Sequence, residues 1–184
     1  MSLPPLEHIP PQVASLADYE PLARERMSAP AWAYLNGGSG DEWTLRENVA
    51  AFARIALRAR VLRDMASAST RISLLGADLA APILLAPLAF QKLAHPEGEL
   101  ASVIAAGALD TAMVVSTQAS VSLEEIAAHA PAPLWFQLYI QPDRDFTAAL
   151  VRRAEQAGYR ALVVTVDAPV NGLRNREQRA GAAL

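Results

Sequence analysis

Apolar positions in the first sixty residues fall at helical intervals, and beyond Arg60 they change to short continuous runs. Ser15 and Asp18 have capping-box spacing, with Asp where Glu or Gln is usual, and predict a short helix through Leu22 to about Met27. Pro30 suits the first turn of a second helix over Ala31 to Leu35, which Asn36-Gly37-Gly38 would end. Asp41 is placed to cap a third, in which Leu45, Val49, Phe52 and Ile55 recur at i, i+4, i+7 and i+10. Ahead of these helices, residues 1–14 are proline-rich and aperiodic, and a flexible leader without its own core is expected there.

Between Ile72 and Leu79 the pattern around Gly76 predicts a small hairpin. A strand-helix unit then repeats. Strand Ile83 to Pro87 precedes helix Glu97 to Gly107, strand Met113 to Thr117 precedes helix Leu123 to Ala130, and strand Leu134 to Tyr139 precedes helix Arg144 to Gly158; strand Ala161 to Asp167 stands last. Continuously apolar strands imply cover on both faces, and helical crossovers of about a dozen residues imply parallel neighbours. An open doubly wound sheet and a (β/α)8 TIM barrel both have this alternation. The dinucleotide-binding form of the first needs Gly-x-Gly-x-x-Gly after its opening strand, where Pro87-Leu88-Ala89-Phe90-Gln91-Lys92 stands instead. The expectation is therefore a TIM barrel, with residues 15–184 supplying N-terminal helices and the first four strands. Eight strands and about 250 residues are usual for that fold, so a second half is expected to come from elsewhere.

Composition narrows the function. With 16 Lys and Arg against 19 Asp and Glu, the chain lacks the overall positive field that nucleic acid requires, and no such partner is expected. Without cysteine, it cannot form disulfide frameworks, thiolate zinc sites, iron–sulfur clusters or cysteine nucleophiles. His8, His95 and His129 lack metal-ligand spacing, and no metal is expected. The longest mostly apolar stretch, Leu79 to Leu88, contains two prolines and is too short to span a bilayer. Met1 to Pro11 has no signal-peptide pattern. A cytoplasmic location is the default expectation, with membrane association left open.

In α/β barrels the chemistry gathers at the strand C-termini. Gln137 and Tyr139 lie two apart and share a face, as do Thr165 and Asp167. An amide, a phenol, a hydroxyl and a carboxylate converging at a barrel mouth cost energy unless they bond one another or a ligand, so the four are read as a ligand-binding cluster. The glycine-rich turn from Asn36 to Asp41 follows a helix and leaves through Asp41 and Glu42, which suits a helix end and a helix start better than a phosphate cradle. Tyr34 is the residue there placed to reach a site. After the last strand, Arg174-Asn175-Arg176-Glu177-Gln178-Arg179 reads either as a solvated loop or as the source of an arginine for an anionic substrate group.

Four ordered stretches carry a family resemblance: Tyr34 through Gly40-Asp41-Glu42-Trp43-Thr44-Leu45, Ala86-Pro87 through Gln91-Lys92-Leu93-Ala94-His95-Pro96-Glu97-Gly98-Glu99, Phe136-Gln137-Leu138-Tyr139, and Thr165-Val166-Asp167-Ala168-Pro169. The chain resembles the amino-terminal half of the FMN-dependent α-hydroxy acid oxidases and dehydrogenases, nearly continuously from about Tyr19 to Gly181. The resemblance implies oxidation of a small 2-hydroxy acid, with FMN as cofactor and oxygen or another acceptor taking the electrons. It implies that Tyr34 and Arg174 bind the substrate carboxylate, that Tyr139 stands near the substrate hydroxyl, and that Asp167 orients a catalytic histidine. Pro87, Leu88 and Ala89 match a turn against the flavin ring, and Ser116, Gln137 and Thr165 match polar contacts to it. Gln118 stands where glycolate oxidase-like members carry an aromatic, which bears on the shape of the pocket.

In that family the catalytic histidine, a partner arginine, a flavin-contacting lysine and the phosphate site come from the second half of the barrel. The resemblance thus makes the C-terminal half a required partner, implies a homotetramer or larger assembly, and predicts no catalysis by these 184 residues alone. Two other readings stand beside it. One is an FMN-binding isomerase of the type-2 isopentenyl diphosphate isomerase group, which Tyr34 and Tyr139 suit less well than a carboxylate substrate. The other is a non-catalytic half-barrel.

Overall fold

A computed structural model describes residues 3–181 of the protein. They fall into two compact units, one made of residues 3–66 with 170–181 and the other of Ser67–Pro169.

The first unit is helical. Asp18 Oδ2 accepts the Ser15 and Ala14 N–H groups at 2.7 and 2.9 Å, so the expected Ser15–Asp18 turn forms and leads into α1 (Tyr19–Arg26). Helix α2 (Ala29–Asn36) starts at Ser28, whose Oγ accepts the Ala31 N–H at 3.3 Å, with Pro30 in the first turn. Helix α3 (Trp43–Ala53) departs from expectation at its start, because the capping position is Glu42 and not Asp41. Glu42 takes a left-handed conformation with φ 60°, and its longer side chain folds back to accept the Gly38 N–H at 3.1 Å. The apolar stripe of α3 is not buried here; Val49, Phe52 and Ile55 are exposed, Phe52 by 78%.

The second unit opens with the expected hairpin, β1 (Ile72–Leu74) antiparallel to β2 (Ala77–Leu79). Leu75 and Gly76 both have positive φ, 49° and 75°, which is the two-residue turn whose twist matches paired strands. The chain then alternates through α4 (Glu99–Ala108), β3 (Met113–Val115), α5 (Leu123–Ala128), β4 (Leu134–Leu138), α6 (Arg144–Gln156) and β5 (Ala161–Val164). Strands β3, β4 and β5 are parallel neighbours in chain order, with Val115 opposite Phe136 and Gln137 opposite Val163.

The predicted strand Ile83 to Pro87 is reduced to one parallel bridge, Leu85 to Met113. The Leu85 N–H donates to Ala112 O at 3.0 Å, and the Val114 N–H to Leu85 O at 2.9 Å. Pro82 and Pro87 bracket this stretch and remove ladder donors at both ends, which stops it from extending. It still takes the first place in the parallel order, as the sequence predicts.

The main core lies between the sheet and its helices. Met113, Val115, Leu134, Phe136 and Leu138 pack with Val103 and Ala106 of α4, Leu123 and Ile126 of α5, and Ala154 of α6. Tyr159 closes it, its ring edge-on to Phe136 with centroids 5.8 Å apart and its hydroxyl donating to Leu123 O at 2.9 Å. Burial on both faces holds throughout β3 and β4. It fails at β5, where Leu162 and Val164 are 45% and 43% exposed, because this strand forms the edge of the sheet. No helix among the described residues is long and apolar enough to cross a membrane. A short last helix, α7 (Asn175–Arg179), belongs to the first unit.

Candidate active site

At the C-terminal end of the sheet the register places Ser116, Gln137 and Thr165 on adjoining strand ends, and their side chains form one chain of hydrogen bonds. Gln137 is 2% exposed. Its Oε1 accepts from Ser116 Oγ at 3.3 Å and from the Thr117 N–H at 3.2 Å, and its Nε2 donates to Thr165 Oγ1 at 2.8 Å. Because a backbone N–H can only donate, Thr117 fixes which end of the amide is oxygen. Among the described residues the second Nε2 hydrogen and the Thr165 hydroxyl hydrogen have no acceptor. Ser116 Oγ also accepts the Gln118 N–H at 3.1 Å, which sets the turn that carries Gln118, itself exposed.

Thr117 was not singled out by the sequence reading, yet it ties the strand ends together. Its Oγ1 donates to Gln137 O at 2.5 Å and accepts the Tyr139 N–H at 3.2 Å. Tyr139 is thereby held just past β4, half-buried. Thr165 keeps a ladder bond, its N–H donating to Leu138 O at 3.1 Å. The predicted fourfold convergence is not complete, however. Strand β5 stops at Val164 and not at Asp167, and Asp167 is exposed with no hydrogen bond or ion pair among the described residues. Two residues beyond the last ladder bond, nothing on the β4 side reaches it.

Pro87, Leu88 and Ala89 follow the bridge residue Leu85 as a largely exposed ledge. A buried cluster braces it from below. Glu99, fully buried at the start of α4, accepts the Gln91 N–H at 3.2 Å and the Ser120 N–H at 2.8 Å through Oε1. Gln91 in turn donates to Leu88 O at 3.4 Å and accepts from Ser102 Oγ at 2.6 Å. Neither Glu99 nor Gln91 was selected from the sequence as a site residue.

In the first unit, Tyr34 and Arg174 come together although 140 residues separate them. The Arg174 guanidinium lies 5.8 Å from the Tyr34 ring centroid, and its Nη2 donates to Tyr34 O at 2.7 Å. Arg174 Nε faces Glu177, one turn along in α7. The neighbouring Arg176 bonds Asn36 Oδ1 at 3.0 Å and Glu42 Oε2 at 2.5 Å. The Gly40 N–H donates to Leu173 O at 2.7 Å. These links strap the glycine-rich turn onto the Leu173–Arg176 segment. Gly37 is required there, since a Cβ would sit 2.2 Å from Ala33 O. The turn is thus a helix-to-helix joint, as expected. The Gly38 N–H on its carboxylate, opposed by burial and helped by Arg176, holds Glu42 below the usual carboxylate range.

Among the described residues the histidine side chains of His95 and His129 bond only to backbone close by in sequence. His129 Nδ1 pairs with Glu125 O at 2.9 Å at the end of α5, and His95 Nδ1 accepts the Glu97 N–H at 3.2 Å within its own turn.

Residues 23–184 match the family model described as FMN-dependent dehydrogenase. The chain is 51% identical over 169 residues to the L-lactate oxidase of Nostoc sp. (strain PCC 7120 / SAG 25.82 / UTEX 2576), covering 90% of this chain and 46% of that protein. It is 42% identical to the glycolate oxidase of Spinacia oleracea, over 90% of this chain and 45% of that one. Among solved structures, a mandelate oxidase variant with the C4a-OH-FMN adduct superposes with a TM-score of 0.87 at 44% identity, covering 91% of this chain and 50% of that one. The protein therefore spans about half the length of the relatives it matches, its parallel strands and helices are one part of their (β/α)8 barrel, and it belongs to the FMN-dependent dehydrogenase family.

Proposed function

We propose that this chain supplies the strand-end and carboxylate-binding part of an FMN-dependent oxidoreductase that converts a small (S)-2-hydroxy acid to the 2-oxo acid. The pairing of Arg174 with Tyr34 carries the reading. A guanidinium held over a phenol ring offers a charged, multiply donating group, which suits a carboxylate. The donor set on the sheet fits a flavin. The uncommitted hydrogens of Gln137 Nε2 and Thr165 Oγ1 suit the carbonyl and nitrogen acceptors along one edge of the isoalloxazine, and Pro87-Leu88-Ala89 offers an apolar surface for its face.

When bound, FMN supplies a two-electron acceptor, while the substrate loses two protons with those electrons. In this reading Arg174 and Tyr34 fix the substrate carboxylate and thereby its α-carbon. Tyr139, held by Thr117, hydrogen-bonds the substrate hydroxyl. Asp167 is assigned to orient a base contributed by the second half of the barrel. Gln118, exposed beside the strand ends, bounds the pocket on the side that receives the substrate's substituent. The complete enzyme is proposed to be a cytoplasmic homotetramer or larger.

The test is to purify the complete native protein, record its visible absorbance, and add a panel of 2-hydroxy acids without oxygen. A flavin spectrum that bleaches with one of them is the expected result. A flavin that no hydroxy acid bleaches overturns the oxidoreductase reading, and a protein that binds no flavin overturns the cofactor assignment.

A further inference from the structure

The ledge Pro87-Leu88-Ala89 has little secondary structure of its own. Its strand is one bridge long, prolines stand at 82 and 87, and the next residue, Phe90, is held at φ 52°, a left-handed conformation that costs a non-glycine residue energy. Such a segment keeps one shape only where its surroundings over-determine it. Here they do so through side chains. Glu99 joins the Gln91 and Ser120 N–H groups on a single buried oxygen, so the segment after the ledge and the loop after β3 share one acceptor. The same two segments are linked again by Phe90 N–H to Gln118 O at 3.0 Å and by Lys92 N–H to Ser120 Oγ at 3.2 Å. Gln91, fixed by Ser102, passes the constraint to Leu88 O. Glu99 Oε2 is buried as well and has no partner among the described residues, so the carboxylate is committed to the brace through one oxygen.

We propose that Glu99 is a positioning residue. It locks the Pro87–Ala89 ledge and the loop carrying Ser116 and Gln118 into one frame, so that the flavin ring's face and the specificity side chain are set together. This rests on the FMN reading above. The spacing explains the chemistry required. Two backbone N–H groups from different segments must meet inside the protein, and an acceptor on a third element, the first turn of α4, is the means of pairing both. A leucine of similar size would fill the space but leave both donors unpaired.

The experiment compares Glu99→Leu, Glu99→Gln and the parent in the complete native protein, with two independent readouts. Amide hydrogen exchange at Gln91 and Ser120 is expected to rise about tenfold in Glu99→Leu. The flavin absorbance band is expected to shift and kcat to fall about 10- to 100-fold with KM little changed, since misplacement of the ring affects the reacting geometry more than binding. Glu99→Gln keeps an acceptor oxygen and is expected to restore most of both. Unchanged exchange in Glu99→Leu overturns the brace. Raised exchange with an unaltered flavin band and kcat overturns the positioning role, as does a Glu99→Gln protein as impaired as Glu99→Leu. If Glu99→Leu fails to fold, Ser102→Ala decides on the same readouts: raised exchange at Gln91 with a smaller band shift supports the proposal, and no change in either overturns it. Absence of any flavin spectrum in the parent overturns the functional reading separately, while exchange at the two amides still reports on the brace.

Discussion

Arg174 makes the sharpest prediction for a single side chain. Replacing it by methionine removes the charge while keeping the stem, and is expected to weaken 2-hydroxy acid binding by about 10- to 100-fold, the range for a lost hydrogen bond to a charged group. The effect should appear mainly in the KM of the complete enzyme. Gln137→Leu tests the strand-end network, because it leaves the half-buried Thr117 N–H and the buried Ser116 hydroxyl without their acceptor. Each such loss costs about 1–3 kcal/mol, to be read as a lowered urea midpoint with an unchanged slope. Glu42 predicts a pH response. The Gly38 N–H and Arg176 depress its folded value below the ordinary 4.5, so its stabilisation is complete above about pH 4.5 and is lost as pH falls through the folded value. The protection of the Gly38 amide, its exchange rate relative to the intrinsic rate at each pH, should therefore fall on acidification, and Glu42→Gln should abolish that fall. At this scale the meeting of Gln137 with Thr165 was legible because strand ends in a parallel sheet lie side by side, whereas Tyr139 joins them through its backbone N–H alone. Glu99, Gln91 and Thr117 were not legible, because their partners stand on other elements and no local spacing marks them.

For whole elements, the order and type of helices and strands followed from periodicity except at Asn175–Arg179, read as a loop and found as the helix α7, and the ends did not follow. Strands were expected to run to Thr117, Tyr139 and Asp167 but stop at Val115, Leu138 and Val164. The polar residues beyond them turn to side-chain bonding in place of the ladder. Capping chemistry was readable at Ser15, whose turn with Asp18 forms, and misleading at Asp41, where contacts with Gly38 and Arg176 select Glu42; the caps at Ser28 and Ser122 emerged only from the structure. Helix packing offers its own test at Gly107. A Cβ there would stand 1.9 Å from Pro131 Cγ, and a proline ring cannot swing aside. Gly107→Ala should destabilise the second unit by about 1–3 kcal/mol despite alanine's better helix propensity, measured as a lowered unfolding midpoint. The bidentate pair of Arg153 with Glu124, at 2.7 and 2.9 Å between α6 and α5, is half exposed and should contribute at most about 1 kcal/mol.

At the scale of the molecule, apolar surface decides behaviour. Phe52 on α3, Ile83 beside the bridge, and Leu162 and Val164 on the edge strand are exposed together with unpaired β5 backbone. The 184-residue chain expressed alone is therefore expected to self-associate and bind a hydrophobic dye, and to lose both properties when co-expressed with a complementary half-barrel; sedimentation velocity checks it. The sequence by itself determined the alternating fold class, the parallel strand order, the family and the residue types at the strand ends, since hydrophobic period and motif order are local properties of the chain. Only the tertiary structure decided that Tyr34 lies against Arg174, that Asp167 stands outside the Gln137 network, and that Glu99 braces the ledge. Each of these depends on which backbone donors and acceptors the packed elements leave unpaired, and that is settled when distant segments meet.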